Sequence, residues 1–140
     1  IIALVHDILV IVGVFAIIGR EVNSPFVAAL LTVVGYSIND TIVIFDRIRE
    51  NVRLRKRESW KEIANKSINE TLRRTINTNL TTLSVIVALY VFGGETLKDF
   101  ILAMLLGAIA GTYSTVFIAS PIWVAWKTHD DRKRQLAKAA

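Results

Sequence analysis

The stretch FVAALLTVVGYSINDTIVIFDRIREN, Phe26 to Asn51, constrains this chain more than any other. It begins apolar enough to enter a bilayer, and it reads as part of one long helix. Halfway along it places Gly35, Tyr36, Ser37, Asn39 and Asp40 where the hydrocarbon centre should lie. An aspartate at that depth costs roughly 3 kcal/mol or more, so such residues mark functional sites by default. The chain that surrounds it has 140 residues, 53% hydrophobic, with mean hydropathy +0.47. Its apolar segments approach the ~20 residues that cross a bilayer. The expected fold class is all-α: a polytopic transmembrane bundle of four spanning helices with a short interfacial amphipathic helix.

In order along the chain, the spans are expected at about 1–19, 25–48, 71–92 and 97–126, with the interfacial helix at about 59–70. Ile1–Gly19 reads as a helix entered partway, with a polar break at His6-Asp7, so a piece of a longer protein is expected. Ser24 is placed as the cap of the second helix with Pro25 at its first position, where a missing N–H is harmless. A basic loop is expected from Arg49 to Arg57. Ser59-Trp60-Lys61-Glu62 has the form of a capping box. Trp60, Ile63, Ala64, Ser67, Ile68, Thr71 and Leu72 then recur at helical spacing, with Lys61, Glu62, Asn65, Lys66 and Asn69 on the other side, which suits a helix lying at the membrane surface. Gly93-Gly94 suggests a tight turn, and Thr96-x-x-Asp99 another cap. Pro121 should bend the last span, and Trp123 and Trp126 fit an interfacial aromatic belt. Residues 128–140 read as a cytoplasmic basic tail, helical or disordered.

Charge sets the expected orientation. Net charge is +5. The positive charge lies in two blocks: Arg49, Arg53, Arg55, Lys56, Arg57, Lys61 and Lys66 after the second span, and Lys127, Arg132, Lys133, Arg134 and Lys138 at the tail. The other two connections hold only Arg20 and Lys98. This is the positive-inside pattern, which puts both ends of the chain in the cytoplasm and argues against a nucleic-acid surface. Cysteine is absent and the two histidines, His6 and His129, are far apart. No disulfide, thiolate chemistry, metal site, cofactor or enzymatic nucleophile is expected.

The polar residues inside the spans carry the functional reading. At 1.5 Å per residue, Asp40 lies about 21 Å from the outer end of its span, Asp7 about 18 Å and Arg74 about 27 Å. Arg74 is then one turn nearer the cytoplasm than Asp40. Tyr36 and Ser37 share the face of Asp40 and are expected to hydrogen-bond its carboxyl or carry water to it. Arg74, Asn77, Thr78, Thr81 and Ser84 form a polar stripe expected to face the interior or a wet path toward Asp40. Burial and a nearby arginine act on a carboxyl in opposite directions, so Asp40 is poised to titrate when its surroundings move. Bland alternatives stand beside each reading. Asp40 as a static fastener, Asp7 with His6 as a hydrogen-bonded pair, Arg74 snorkelling to headgroups and the Asn/Thr stripe as interhelical glue all fit the same residues. Gly107-x-x-x-Gly111 marks close helix packing.

VHD at Val5–Asp7, VGYSINDTIVIFDRIREN at Val34–Asn51, INETLRRTINTNLTTL at Ile68–Leu83, FGG at Phe92–Gly94 and GTYSTVFIASP at Gly111–Pro121 together resemble the SecF family. These are membrane subunits of the bacterial SecD–SecF protein-export complex, in the resistance-nodulation-division superfamily. The resemblance reaches to about Trp126 and implies the last four spans of a six-helix protein. It implies an inner-membrane subunit that uses the proton motive force to help pull polypeptide out of the Sec channel. It also implies SecD, the channel proteins SecY, SecE and SecG, YajC, YidC and exported polypeptide as partners. Asp40 and Arg74 match the residues implicated in proton conduction, with a further aspartate from SecD; the role of Asp7 is left open. A half-transporter for a small molecule or lipid within the same superfamily is the alternative.

Overall fold

The computed structural model describes residues 1–54 and 58–139, with backbone alone at 138 and 139. Arg55, Lys56 and Arg57 of the basic block, and the side chain of Lys138, lie outside the described residues. All the regular structure among these residues is helical: α1 Ile2–Ile17, α2 Ser24–Leu54, α3 Trp60–Phe92, a 3₁₀ turn Glu95–Leu97, α4 Lys98–Ser114, a π-helical turn Thr115–Ala119 and α5 Ser120–Ala139. Three stretches, Ser24–Leu54, Trp60–Phe92 and Glu95–Ala137, are long and apolar enough to cross a membrane. α1 is a shorter apolar helix of 16 residues packed beside them. The all-α membrane bundle is therefore as expected.

Several boundaries differ from the sequence expectation, each for a local reason. The amphipathic segment 59–70 is not a separate interfacial helix; it forms the first turns of α3. No residue between Asn69 and Thr75 interrupts the backbone ladder, so one 33-residue helix carries both the surface segment and the span. α2 likewise continues through Arg49 to Leu54, so that part of the basic block is helical. The cap of α2 is the Asn23 side chain, whose Oδ1 accepts from Phe26 N at 3.0 Å, in place of Ser24. Thr96 caps nothing: the N-cap of α4 is Leu97, without a side-chain bond, and Asp99 instead pairs with Arg20 Nη1 at 3.1 Å. The tail continues as helix α5, tied back where Trp60 Nε1 donates to Asp131.

Other local signals act as written. α1 ends in a Schellman motif, with Arg20 N donating to Phe15 O and Gly19 N to Ala16 O. Gly19 has φ +69°, a conformation only glycine adopts without strain. Ser59 and Glu62 form the full capping box at α3. The backbone N–H and hydroxyl of Ser59 hold the Glu62 carboxyl below its ordinary pKa. A lowered folded-state pKa means this stabilisation is present above the unfolded-state value and is lost as pH falls through the folded-state one. Ser59→Ala is expected to destabilise the start of α3 by about 1 kcal/mol at neutral pH, read as faster amide exchange over its first turns. The π turn stands directly before Pro121. Proline offers no N–H to the carbonyl four residues back and crowds it, and a one-residue widening relieves both problems. Ser120 Oγ supplies a donor to Thr115 O at 3.1 Å.

α4 is the hub, packed against α1, α2 and α3. Ile11, Phe15, Phe26, Ala29, Val33 and Ala103 form the core near the α1–α2 connection. Ile86, Ile101 and Ala108 join α3 to α4. Ile44, Ile48 and Ile63 close the opposite, basic end, backed by Trp60 and Trp123. Those two rings meet edge to face at 5.8 Å between centroids, so Trp123 is a packing residue, whereas Trp126 is exposed as a belt residue would be. The glycine pair sets the spacing of α2 and α4. A Cβ on Gly107 would overlap the side chain of Val33, and one on Gly111 would approach Ser37 Oγ to 3.3 Å.

Candidate functional site

Two buried carboxylates lie within the bundle, and their surroundings differ. Asp7 of α1 is 1% exposed. Its Oδ2 accepts from Ser37 Oγ of α2 at 2.7 Å and from Ser114 Oγ of α4 at 2.9 Å, and its Oδ1 lies 3.2 Å from His6 Nδ1. Gly111 lies beside this junction: a Cβ there would press on Ser37 at 3.3 Å and reach ordinary contact with Asp7 Oδ2 at 3.7 Å. Thr41 and Thr115 hydroxyls add a further contact at 3.1 Å. Asp7 is thus a saturated three-helix fastening. Asp7→Ala is expected to lower stability by about 1–3 kcal/mol by stranding the Ser37 hydroxyl, whereas Ser114 keeps Gly111 O as an acceptor at 3.2 Å, and Asp7→Asn by less. Thermal unfolding in detergent checks the order of the two.

Asp40 of α2 is 7% exposed and sparsely partnered. Its Oδ2 accepts from Asn79 Nδ2 of α3 at 3.1 Å. Asn79 Oδ1 in turn accepts from Tyr36 OH, one turn before Asp40 on α2. Tyr36 therefore reaches the carboxyl through Asn79, and not directly as expected. Ser37 does not serve Asp40 at all, because its hydroxyl is committed to Asp7. Among the described residues no ion pair reaches Asp40.

α3 is turned differently from the sequence expectation. Arg74, Asn77, Thr78, Thr81 and Ser84 are all exposed on the outer surface of the bundle. Thr81 and Ser84 hydroxyls are returned to their own helix, to Asn77 O and Leu80 O. Among the described residues Arg74 forms no ion pair with Asp40. The face that meets α2 is instead Ser67, Thr71, Thr75 and Asn79. At about 100° per residue, Arg74 and Asn79 stand roughly 140° apart around the helix. The sequence carries two polar stripes on α3, and Arg74 lies on the outward one. The spacing of four from Ser67 to Asn79 was the available signal for the inward one.

Beyond Asp40, toward the basic end, a second polar group joins α2 to α3. Arg47 Nε donates to Glu70 Oε2 at 2.7 Å and its Nη1 to Glu50 Oε2 at 2.6 Å. The guanidinium is thus held between two carboxylates. The buried Asn51 amide donates to Ser67 Oγ at 2.9 Å and to Glu70 Oε2 at 2.8 Å. Arg47 thus pairs with Glu50 and Glu70 and not with its chain neighbour Asp46.

Comparison with known proteins identifies the family and the fold. The family model described as protein export membrane protein SecD/SecF, C-terminal, matches residues 1–129. The chain belongs to the SecD/SecF C-terminal family. Its SecF-named relatives include one from Alicyclobacillus acidocaldarius, 52% identical over 95% of this chain and 44% of that protein. A protein translocase subunit SecDF from Thermus thermophilus is 49% identical over the whole chain and 19% of its own length. The chain thus spans less than half of these relatives. Two solved structures share the fold. SecDF in its super-membrane-facing form gives a TM-score of 0.90 at 48% identity, covering 99% of this chain and 19% of that one. SecDF from Thermus thermophilus, titled a translocon-associated membrane protein, gives 0.87 at 49%, covering 91% and 18%. Membership in the SecD/SecF family makes this a membrane protein, in keeping with its three long apolar helices.

Proposed function

We propose that this chain is the C-terminal membrane part of a Sec protein-translocation subunit, and that it couples proton flow across the membrane to the export of polypeptides. The names of its relatives support the first half of that reading. One observation carries the second: Asp40 is buried among apolar helices with, among the described residues, a single neutral hydrogen-bond donor and no ion pair. A carboxyl so placed is free to exchange between charged and neutral forms, and the two forms differ greatly in cost at that depth. Asn79 holds the carboxyl without neutralising it, and Tyr36 fixes the orientation of Asn79.

In this reading the partner is SecD, a separate chain or fused as in the Thermus relative, and the second acid of the proton path is SecD's. The exposed stripe through Arg74, Asn77, Thr78 and Thr81 then faces that partner and not lipid, since a polar face in hydrocarbon is costly. SecY, SecE and SecG form the channel served, with YajC and YidC as accessory partners. The chain lies in the bacterial inner membrane with its basic ends cytoplasmic. It performs no covalent chemistry. Depletion and complementation test the reading: cells lacking the full-length protein should export slowly. A copy carrying Asp40→Asn should assemble with SecD yet fail to restore the rate. Full restoration by that copy would remove Asp40 from the mechanism.

A further inference from the structure

The buried face of α3 carries four polar side chains at every fourth position: Ser67, Thr71, Thr75 and Asn79. They rise about 6 Å per step, from the basic end of the bundle to Asp40. Ser67 and Asn79 anchor the two ends, through Asn51 and Asp40 respectively. Ser67, Thr71, Thr81, Thr82 and Ser84 each donate their hydroxyl to the carbonyl four residues back. Thr75 does not. It is 3% exposed, and its Oγ1 is the one buried side-chain polar atom without a hydrogen-bond partner among the described residues. Stranding a buried hydroxyl costs about as much as losing a hydrogen bond, and a valine of the same shape would avoid that cost. A free hydroxyl one turn from Asn79, on the face that meets Asp40, is a group set to bind something small and polar.

We propose that Ser67, Thr71 and Thr75 form the branch of the proton path that joins Asp40 to the basic end of the bundle, with Thr75 as its relay. The inference rests on the proton-coupled reading of Asp40. Steps of this length are too long for direct hydrogen bonds between hydroxyls, and one bridging water per step closes them. A proton entering at the basic end passes from water to the Thr75 hydroxyl, which gives up its own proton toward Asp40. Thr75 ends unchanged, and the Asp40 carboxylate becomes a neutral carboxyl. The mouth of the branch lies at Ser67, where Asn51, Glu70 and Arg47 are bonded together across α2 and α3. That cluster separates the row from bulk water until the two helices part.

Proton flux into vesicles holding the full-length protein with its SecD partner, driven by an imposed pH gradient, tests this. Thr75→Val should lower flux about tenfold or more while leaving thermal stability unchanged or raised, and Thr75→Ser should keep most of it. A purely structural threonine would show the opposite: no loss of flux with valine. Parental flux in Thr75→Val, with Asp40→Asn silent in the same assay, overturns the relay and leaves the Asp40 reading standing. Parental flux in both variants overturns both. If the Thr75→Val protein does not assemble, Thr71→Val, one step further from Asp40, decides on the same terms.

Discussion

Replacing Asp40 by asparagine is expected to abolish the proton-dependent part of export while the protein still folds and assembles. The amide is nearly isosteric with the carboxyl, and its oxygen can still accept the bond that Asn79 Nδ2 gives to Asp40 at 3.1 Å. What it loses is the ability to change charge. A positioned proton-transfer group contributes about 10²–10⁴-fold to the step it serves, so the proton-dependent rate should fall into the background of the assay. Stability should hold or rise, because a buried ionisable group has been removed from a low-dielectric site. Melting curves and co-purification with SecD establish that the variant is intact, and export with and without a proton gradient gives the functional answer. Equal stimulation by the gradient in parent and variant would reduce Asp40 to a fastener like Asp7. The contrast between the two acids makes that comparison sharp. Asp7 has two serine donors and a histidine neighbour, whereas Asp40 has one amide.

Gly107→Leu is expected to disrupt the packing of α4 against α2. Any Cβ at that position overlaps both methyl groups of Val33, across the contact where α4 meets α2. Overpacking of this kind costs about 1–3 kcal/mol, since the helices must separate or Val33 must leave its rotamer. The same separation would disturb Ser37 and Ser114, the two serines that hold Asp7 from α2 and α4. Val33→Ala should recover part of the loss in the double variant, with a coupling of about 0.5–3 kcal/mol measured by thermal unfolding in detergent. Additive effects of the two changes would show that Gly107 is not where the helices touch. Gly111→Ala should be milder, because its new atom meets the small, adjustable Ser37 side chain at 3.3 Å.

Much of this could be read from residues in order. The four apolar stretches, the capping box at Ser59 and Glu62, the glycine turn after α1 and the close-packing motif on α4 are all local signals. Each is decided by neighbours within a turn or two. The expected break between an interfacial helix and the third span failed because both halves are good helix. Nothing in the local chemistry stops α3 where the membrane surface does. The caps at Ser24 and Thr96 failed because a residue one place away, or an ion pair from another element, took the role.

By itself the sequence determined that an aspartate would sit deep among apolar helices, and that Asp7 and Asp40 were the acids to watch. Hydrophobic spacing and the cost of burying charge suffice for that, since both depend only on what each residue is and where it falls along a helix. Only the tertiary structure decided which acid is saturated and which is left open. It gave Ser37 to Asp7 and not Asp40, and it turned α3 so that Asn79 and Thr75 face inward while Arg74 faces out. A helix with two polar stripes has no local reason to prefer either; the choice is made by the shape of α2 and α4 against which it packs.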